Sequence, residues 1–249
     1  MENTVLRELH IAPGEVMISY KEALRYTGYR DSAPNEEFAR RGEEIVGSMK
    51  RLITPKACYR RVSIERPRED VLCLGNLCME SHNLYKTLEG CSSAYLFAAT
   101  VGVGVEREIH KAAHRSPVEE VLTDAAGSAA IEGLCDRICD IFAGWEAPRK
   151  LTMRFSPGYG DLSIATQKDL IRNLDTHRKI GMSLTEGMMM SPTKSVSAIV
   201  GVKDEIVAGD SLPGVDGEHP KISEESFDTS HHNCAACTAV DCIYRAEGR

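Results

Sequence analysis

The sequence predicts an α+β domain. Stretches with apolar residues at helical intervals are interleaved with short β-rich runs, and a Gly-, Pro-, Ser- and Asp-rich segment follows them. The length of 249 residues suits one large domain with appendages, and the 42% hydrophobic content is enough for a sizeable core. The net charge of −7, with no dominant Lys/Arg block, argues against a general nucleic-acid binder, which needs a basic face. A locally basic stretch, residues 40–66, is interrupted by Glu43, Glu44 and Glu65 and reads as a solvated helix face followed by a strand.

Residues 15–26 and 35–52 carry helical periodicity, with Pro13 and Pro34 near their starts. Residues 57–64 alternate as a strand does, and residues 71–74 form a second strand closed by Gly75-Asn76. Residues 93–103 are apolar and almost uncharged, as in a buried strand, and a helix follows over 105–114. Ser116-Pro117-Val118-Glu119 starts a long helix: Ser caps, Pro suits the first turn, and the acid complements the helix dipole. That helix runs to Trp145, and its small residues from Ala125 to Ala130 suit tight packing on a sheet or close approach of a backbone or ligand. After Pro148, residues 151–155 read as a strand, 156–163 as a loop and 166–174 as a helix. Residues 183–186 and 195–202 read as strands paired with each other. The predicted organisation is a domain over 1–207, a linker over 208–230 and a Cys-rich tail over 231–249.

No apolar run approaches the ~20 residues that cross a bilayer, and the N-terminus lacks the pattern of a signal peptide. The expectation is a cytoplasmic protein whose nine cysteines are reduced thiols or metal ligands rather than a disulfide framework. Cys73, Cys78, Cys135 and Cys139 read mostly as small buried hydrophobes, and His110 with His114 as a surface pair.

The segment Arg154-Phe155-Ser156-Pro157-Gly158-Tyr159 has chemistry suited to a small zwitterion. A guanidinium holds a carboxylate through two parallel hydrogen bonds. Main-chain groups freed by Pro157 and Gly158 can read an amino group or adenine, and the Tyr159 ring can face a sulfonium cation. Alone, the segment reads first as a structural turn, because Pro-Gly-Tyr turns are common. Three further pieces follow it: Thr166-Gln167-Lys168, Gly181-Met182-Ser183-Leu184-Thr185-Glu186-Gly187, and Met190-Ser191-Pro192-Thr193-Lys194-Ser195-Val196-Ser197-Ala198. In that order and spacing they resemble the activation domain of cobalamin-dependent methionine synthase. That family reads Arg-Pro-Ala-Pro-Gly-Tyr-Pro, Thr-Glu-Lys, Gly-Met-x-Leu-Thr-Glu-Ser and Met-x-Pro-x-x-Ser-Val-Ser-Gly. Upstream, residues 131–138 are similar to the family's long-helix pattern with its Glu and Arg.

The resemblance implies helices packed around a twisted antiparallel sheet, with S-adenosylmethionine in a shallow surface site. By it, Arg154 grips the methionine carboxylate, Ser156 and Gly158 offer main-chain contacts, and Tyr159 lies against the ligand or an approaching corrin. A long-helix carboxylate assists, with Glu132 the nearest candidate and Ser128 the other occupant of that position. The implied work is reactivation: cob(II)alamin is reduced uphill, and methyl transfer traps the product. Positioning is then the protein's main task, so no catalytic base is expected, and Thr185, Glu186 and Ser195 read as sheet or loop residues.

Departures from the family pattern matter. Gly160 stands where the family has Pro, which implies a looser loop, and the family sheet is expected to be cut short after Val202. The cobalamin-binding signature Asp-x-His-x-x-Gly is absent, so the cobalamin is expected on a partner. That partner is a cobalamin-dependent methionine synthase or another corrinoid methyltransferase, with a flavodoxin or ferredoxin as electron donor. In the tail, Cys234, Cys237 and Cys242, preceded by His231 and His232, have spacing suited to zinc or to an iron–sulfur cluster, with ordinary metal-free thiols as the alternative. The alternative function follows from that tail: a redox or metal-binding accessory module that docks on a corrinoid protein.

Overall fold

In the computed structural model, which describes residues 5–28 and 34–206, helices cover both faces of an antiparallel sheet. The chain begins with β1 (Arg7–Leu9), α1 (Tyr20–Tyr26) and α2 (Glu36–Met49). Next come β2 (Lys56–Arg68), β3 (Val71–Leu74), β4 (Leu77–Glu80), α3 (His82–Thr87) and β5 (Cys91–Thr100). A helical pair, α4 (Val103–Arg115) and α5 (Pro117–Glu146), leads to β6 (Arg149–Leu151), α6 (Thr166–Asn173) and α7 (Thr176–Ile180). The last strands are β7 (Ser183–Leu184), β8 (Met190–Ser191) and β9 (Ser195–Ile206). The main sheet runs β4-β3-β2-β5-β9-β6, with β1 also pairing β2.

Strand alternation sorts the central side chains into two cores. Tyr59, Tyr95, Phe97 and Val200 face α5, where they meet Ala126, Ala130, Leu134, Ile138 and Phe142. Cys58, Leu96 and Ile199 face the other way, against Leu84 of α3, Leu170 of α6 and Ile180 of α7. Because both faces of β5 are covered over its central part, residues 94–99 are continuously apolar instead of alternating. The α5 start is as the sequence predicts: the Ser116 hydroxyl accepts from the Glu119 amide at 3.1 Å, and Pro117 opens the first turn. Ala126 and Ala130 bring α5 close to the sheet, and Phe142 stacks on Tyr95 with ring centroids 4.1 Å apart.

Several expectations are corrected. Residues 183–186 do not pair with 195–202. Instead β7 pairs β8, because the Thr185 carbonyl and hydroxyl accept from Met188 and Met189 and close a tight turn. The long strand β9 pairs β5 and β6 and continues past Val202 to Ile206, so the sheet is not cut short there. Within 15–26 only Tyr20–Tyr26 is α-helical. A Cβ on Gly133 of α5 would lie 1.9 Å from the Met17 carbonyl oxygen, so the preceding segment approaches α5 more closely than any side chain there would permit. Cys73 and Cys78 form a disulfide, not a pair of reduced thiols, because the turn at Gly75-Asn76 sets them directly opposite with Cα atoms 4.0 Å apart. Among the described residues, no helix is long and apolar enough to cross a membrane. The proposed linker and the Cys-rich tail lie outside the described residues.

Candidate functional site

The site begins where β6 gives way to the loop predicted from sequence. Phe155 forms an antiparallel bridge with Ile199 of β9, its amide and carbonyl exchanging hydrogen bonds of 2.9 and 2.8 Å. Its side chain joins the Ile199 core. By alternation, the neighbouring Arg154 side chain crosses to the α5 face. There it donates to Glu132 at 2.7 Å and to Asp136 at 2.6 Å. The two acids are one helical turn apart, so they present their carboxylates along one face of α5.

The Arg154 side chain is only 11% exposed, against 23% for Glu132 and 30% for Asp136. Burial opposes the guanidinium charge, but at neutral pH the Glu132 and Asp136 carboxylates beside it outweigh burial and keep it firmly protonated. Burial also pushes the Cys139 thiol up to about 11, with Arg154 opposing, and raises Cys135 further. Both thiols are therefore inert hydrophobes at neutral pH, as the sequence suggests. From α1, the Tyr26 phenol is raised by burial and then by the charges of Glu132 and Glu22, which places it at the edge of the same cluster. One guanidinium against two carboxylates leaves an excess negative charge, a setting that favours a cationic ligand group.

The loop itself is hydrogen-bonded to itself. The Tyr159 amide donates to the Ser156 carbonyl at 3.0 Å, and the Gly158 amide donates to the Leu162 carbonyl at 2.9 Å. Gly158 has φ of +92° and Gly160 of +53°, backbone states that suit glycine. A Cβ on Gly160 would lie 2.2 Å from the Asn83 side-chain nitrogen, Nδ2. Gly160 in place of the family's Pro therefore does not leave the loop loose, because the substitution admits α3 against it. Asp161 adds hydrogen bonds from the Ser81 hydroxyl, the His82 amide (2.7 Å) and the Asn83 amide (3.2 Å). Tyr159 is 51% exposed, with its ring edge against Phe155.

Of the residues predicted from sequence, Arg154 and Glu132 are brought together directly, and Ser156, Gly158 and Tyr159 form the adjoining loop. Ser128 is engaged elsewhere, accepting from the Lys194 ammonium at 2.9 Å. Asp136 and Tyr26 are additions. Asp136 carries a signal in its i, i+4 spacing from Glu132, whereas Tyr26 carries none, because only the fold brings α1 to α5. Thr185 and Ser195 are loop and strand hydrogen-bonders, with the Ser195 hydroxyl on the Pro192 carbonyl. Exposed His110 and His114 sit on α4, and among the described residues no group of three or more His, Cys, Asp or Glu could hold a metal. Cys234, Cys237 and Cys242 lie outside the described residues, as do His231 and His232.

Comparison with known proteins gives a family match and a similar fold. Residues 89–206, which include Glu132, Asp136 and the whole loop, match the model of the family described as vitamin B12 dependent methionine synthase, activation domain. Among solved structures, the fold is similar to one described as the crystal structure of the MetH reactivation domain bound to AdoHcy. The TM-score is 0.58 at 12% identity, covering 80% of this chain and 79% of that one. No curated protein matches the chain at a significant level. Over residues 89–206 the chain is therefore similar in sequence to the vitamin B12 dependent methionine synthase activation domain, and its fold is similar to that of a MetH reactivation domain.

Proposed function

We propose that this chain binds S-adenosylmethionine at the junction of α5 and the Arg154 loop and supports reductive methylation of a cobalamin held by a partner protein. The observation that carries the reading is the buried Arg154 guanidinium bridging Glu132 and Asp136 at the head of the family loop. S-adenosylmethionine carries an ammonium, a sulfonium and a carboxylate. The cluster offers matching chemistry, two carboxylates for the cationic groups and the remaining guanidinium N–H donors for the carboxylate. When bound, the ligand supplies an electrophilic methyl group.

The chain's residues bind and orient. Glu132 and Asp136 pre-set the guanidinium so that little rotamer freedom is lost on binding. The Gly158 amide is committed to Leu162, so a main-chain contact from Gly158 falls to its carbonyl. Exposed Tyr159 offers an aromatic face beside the sulfonium or the incoming corrin. The partner is a cobalamin-dependent methionine synthase or another corrinoid methyltransferase, in a cytoplasmic setting, with reduction by a flavodoxin- or ferredoxin-type donor. Isothermal calorimetry with S-adenosylmethionine tests the reading. Saturable binding to the wild type, lost in a folded Arg154→Ala variant, is expected; no heat with the wild type would overturn it.

A further inference from the structure

We propose that Asp161 is a positioning residue that locks the ligand loop in its binding-ready shape by fastening it to the start of α3. The proposal rests on the reading of the Arg154 loop as the S-adenosylmethionine site. The loop is anchored at its entry by the Phe155 bridge to Ile199. At its exit, Asp161 accepts from the Ser81 hydroxyl and from the His82 and Asn83 amides, and Leu162 beside it is 2% exposed in the core under α3 and α6. Between these anchors lie only Ser156, Pro157, Gly158, Tyr159 and Gly160, two of them glycines at positive φ.

Two glycines make the intervening segment entropically costly to order. A carboxylate taking three donors at once offsets that cost more effectively than a neutral acceptor would. The contact is also close, since a Cβ on Gly160 would force the Asn83 side chain to move. The anchor is itself fixed: the Ser81 hydroxyl accepts from the Leu84 amide at 3.0 Å, and the Ser81 amide donates to the Asp70 carbonyl at 2.9 Å. Residues 81–83 fall outside the span matched by the family model, so the clamp joins the family loop to a part of this chain beyond that match. Asp161 acts through the backbone of Gly158, Tyr159 and Gly160, because its carboxylate is taken up by Ser81, His82 and Asn83.

The test is calorimetric titration of the full chain with S-adenosylmethionine, together with steady-state methylation of a cobalamin-loaded partner. Asp161→Ala is expected to raise both Kd and the KM for S-adenosylmethionine about tenfold while leaving the saturated rate within about twofold. Asp161→Asn, which keeps one carbonyl acceptor, should recover part of the affinity. Gly160→Ala, which displaces Asn83 without touching the carboxylate, should weaken binding in the same manner. Wild-type affinity in Asp161→Ala, or a loss confined to the saturated rate, overturns the proposal while leaving the ligand site intact. Absence of binding by the wild type overturns the site and this proposal together, so the two failures are distinguishable.

Discussion

Removing the Arg154 guanidinium should destabilise the protein through the charges it leaves behind. Arg154→Ala leaves Glu132 and Asp136 on adjacent turns of α5 with no cation between them. An ion pair at about 4 Å is worth about 4 kcal/mol at an effective dielectric of 20, and breaking a buried pair by deleting one partner typically costs about 3–5 kcal/mol. Here the carboxylates are 23% and 30% exposed and regain some hydration, so about 2–3 kcal/mol is expected. For a domain of this size that corresponds to a fall in Tm of about 5–10 °C. Differential scanning calorimetry measures it directly. Because the cost arises from uncompensated carboxylates, adding Glu132→Gln and Asp136→Asn to Arg154→Ala should restore most of the loss. A triple variant no more stable than Arg154→Ala would refute the electrostatic explanation.

Other expected outcomes concern different parts of the molecule. Cys73→Ser opens a short hairpin loop and should cost about 2 kcal/mol on the chain-entropy account, and treatment with a thiol reductant should lower the wild-type Tm similarly. Cys139, pushed up to about 11 by burial, should resist iodoacetamide at pH 8 and react only on unfolding or in strong alkali, as followed by mass spectrometry. Glu146 is 8% exposed and takes the Tyr95 hydroxyl at 2.7 Å and Arg61 at 2.9 Å, and because Arg61 is 37% exposed and can rehydrate, Glu146→Ala should cost about 2 kcal/mol in urea unfolding, mostly from the Tyr95 hydroxyl left without its acceptor. Burial works to raise the Asp161 carboxyl, but the Ser81, His82 and Asn83 hydrogen bonds outweigh it and hold its pKa below the usual carboxylate range. Its stabilisation is then full above the unfolded value of about 4 and is lost as pH falls through the folded value. Acid unfolding curves of wild type and Asp161→Asn should therefore converge at the acidic end.

The long helix was legible because its signals are local: Ser116 caps, Pro117 opens, and small or apolar residues repeat along one side. The buried strand β5 was legible for the same reason, since both its faces need apolar residues. Elements of two to seven residues, such as β1, β4, α3 and α7, owe their conformation to neighbours distant in sequence and left little pattern to read. The pairing of β7 with β8 depended on Thr185 closing a turn, which strand-like composition does not reveal. At the site, Arg154 and Glu132 were identified through the family resemblance, whereas the partnership of Asp136 required knowing that Arg154 crosses to the α5 face. Asp161 lies two residues beyond the recognised loop motif, and its role emerges only when α3 is folded against it.

Hydrogen–deuterium exchange of the chain with and without S-adenosylmethionine tests the central claim most directly, because it reports both binding and place. The account predicts ligand-dependent protection of amides in residues 154–162 and in the neighbouring part of α5 around Glu132 and Asp136. No protection at saturating ligand, or protection confined to surfaces away from α5 and the loop, would contradict it.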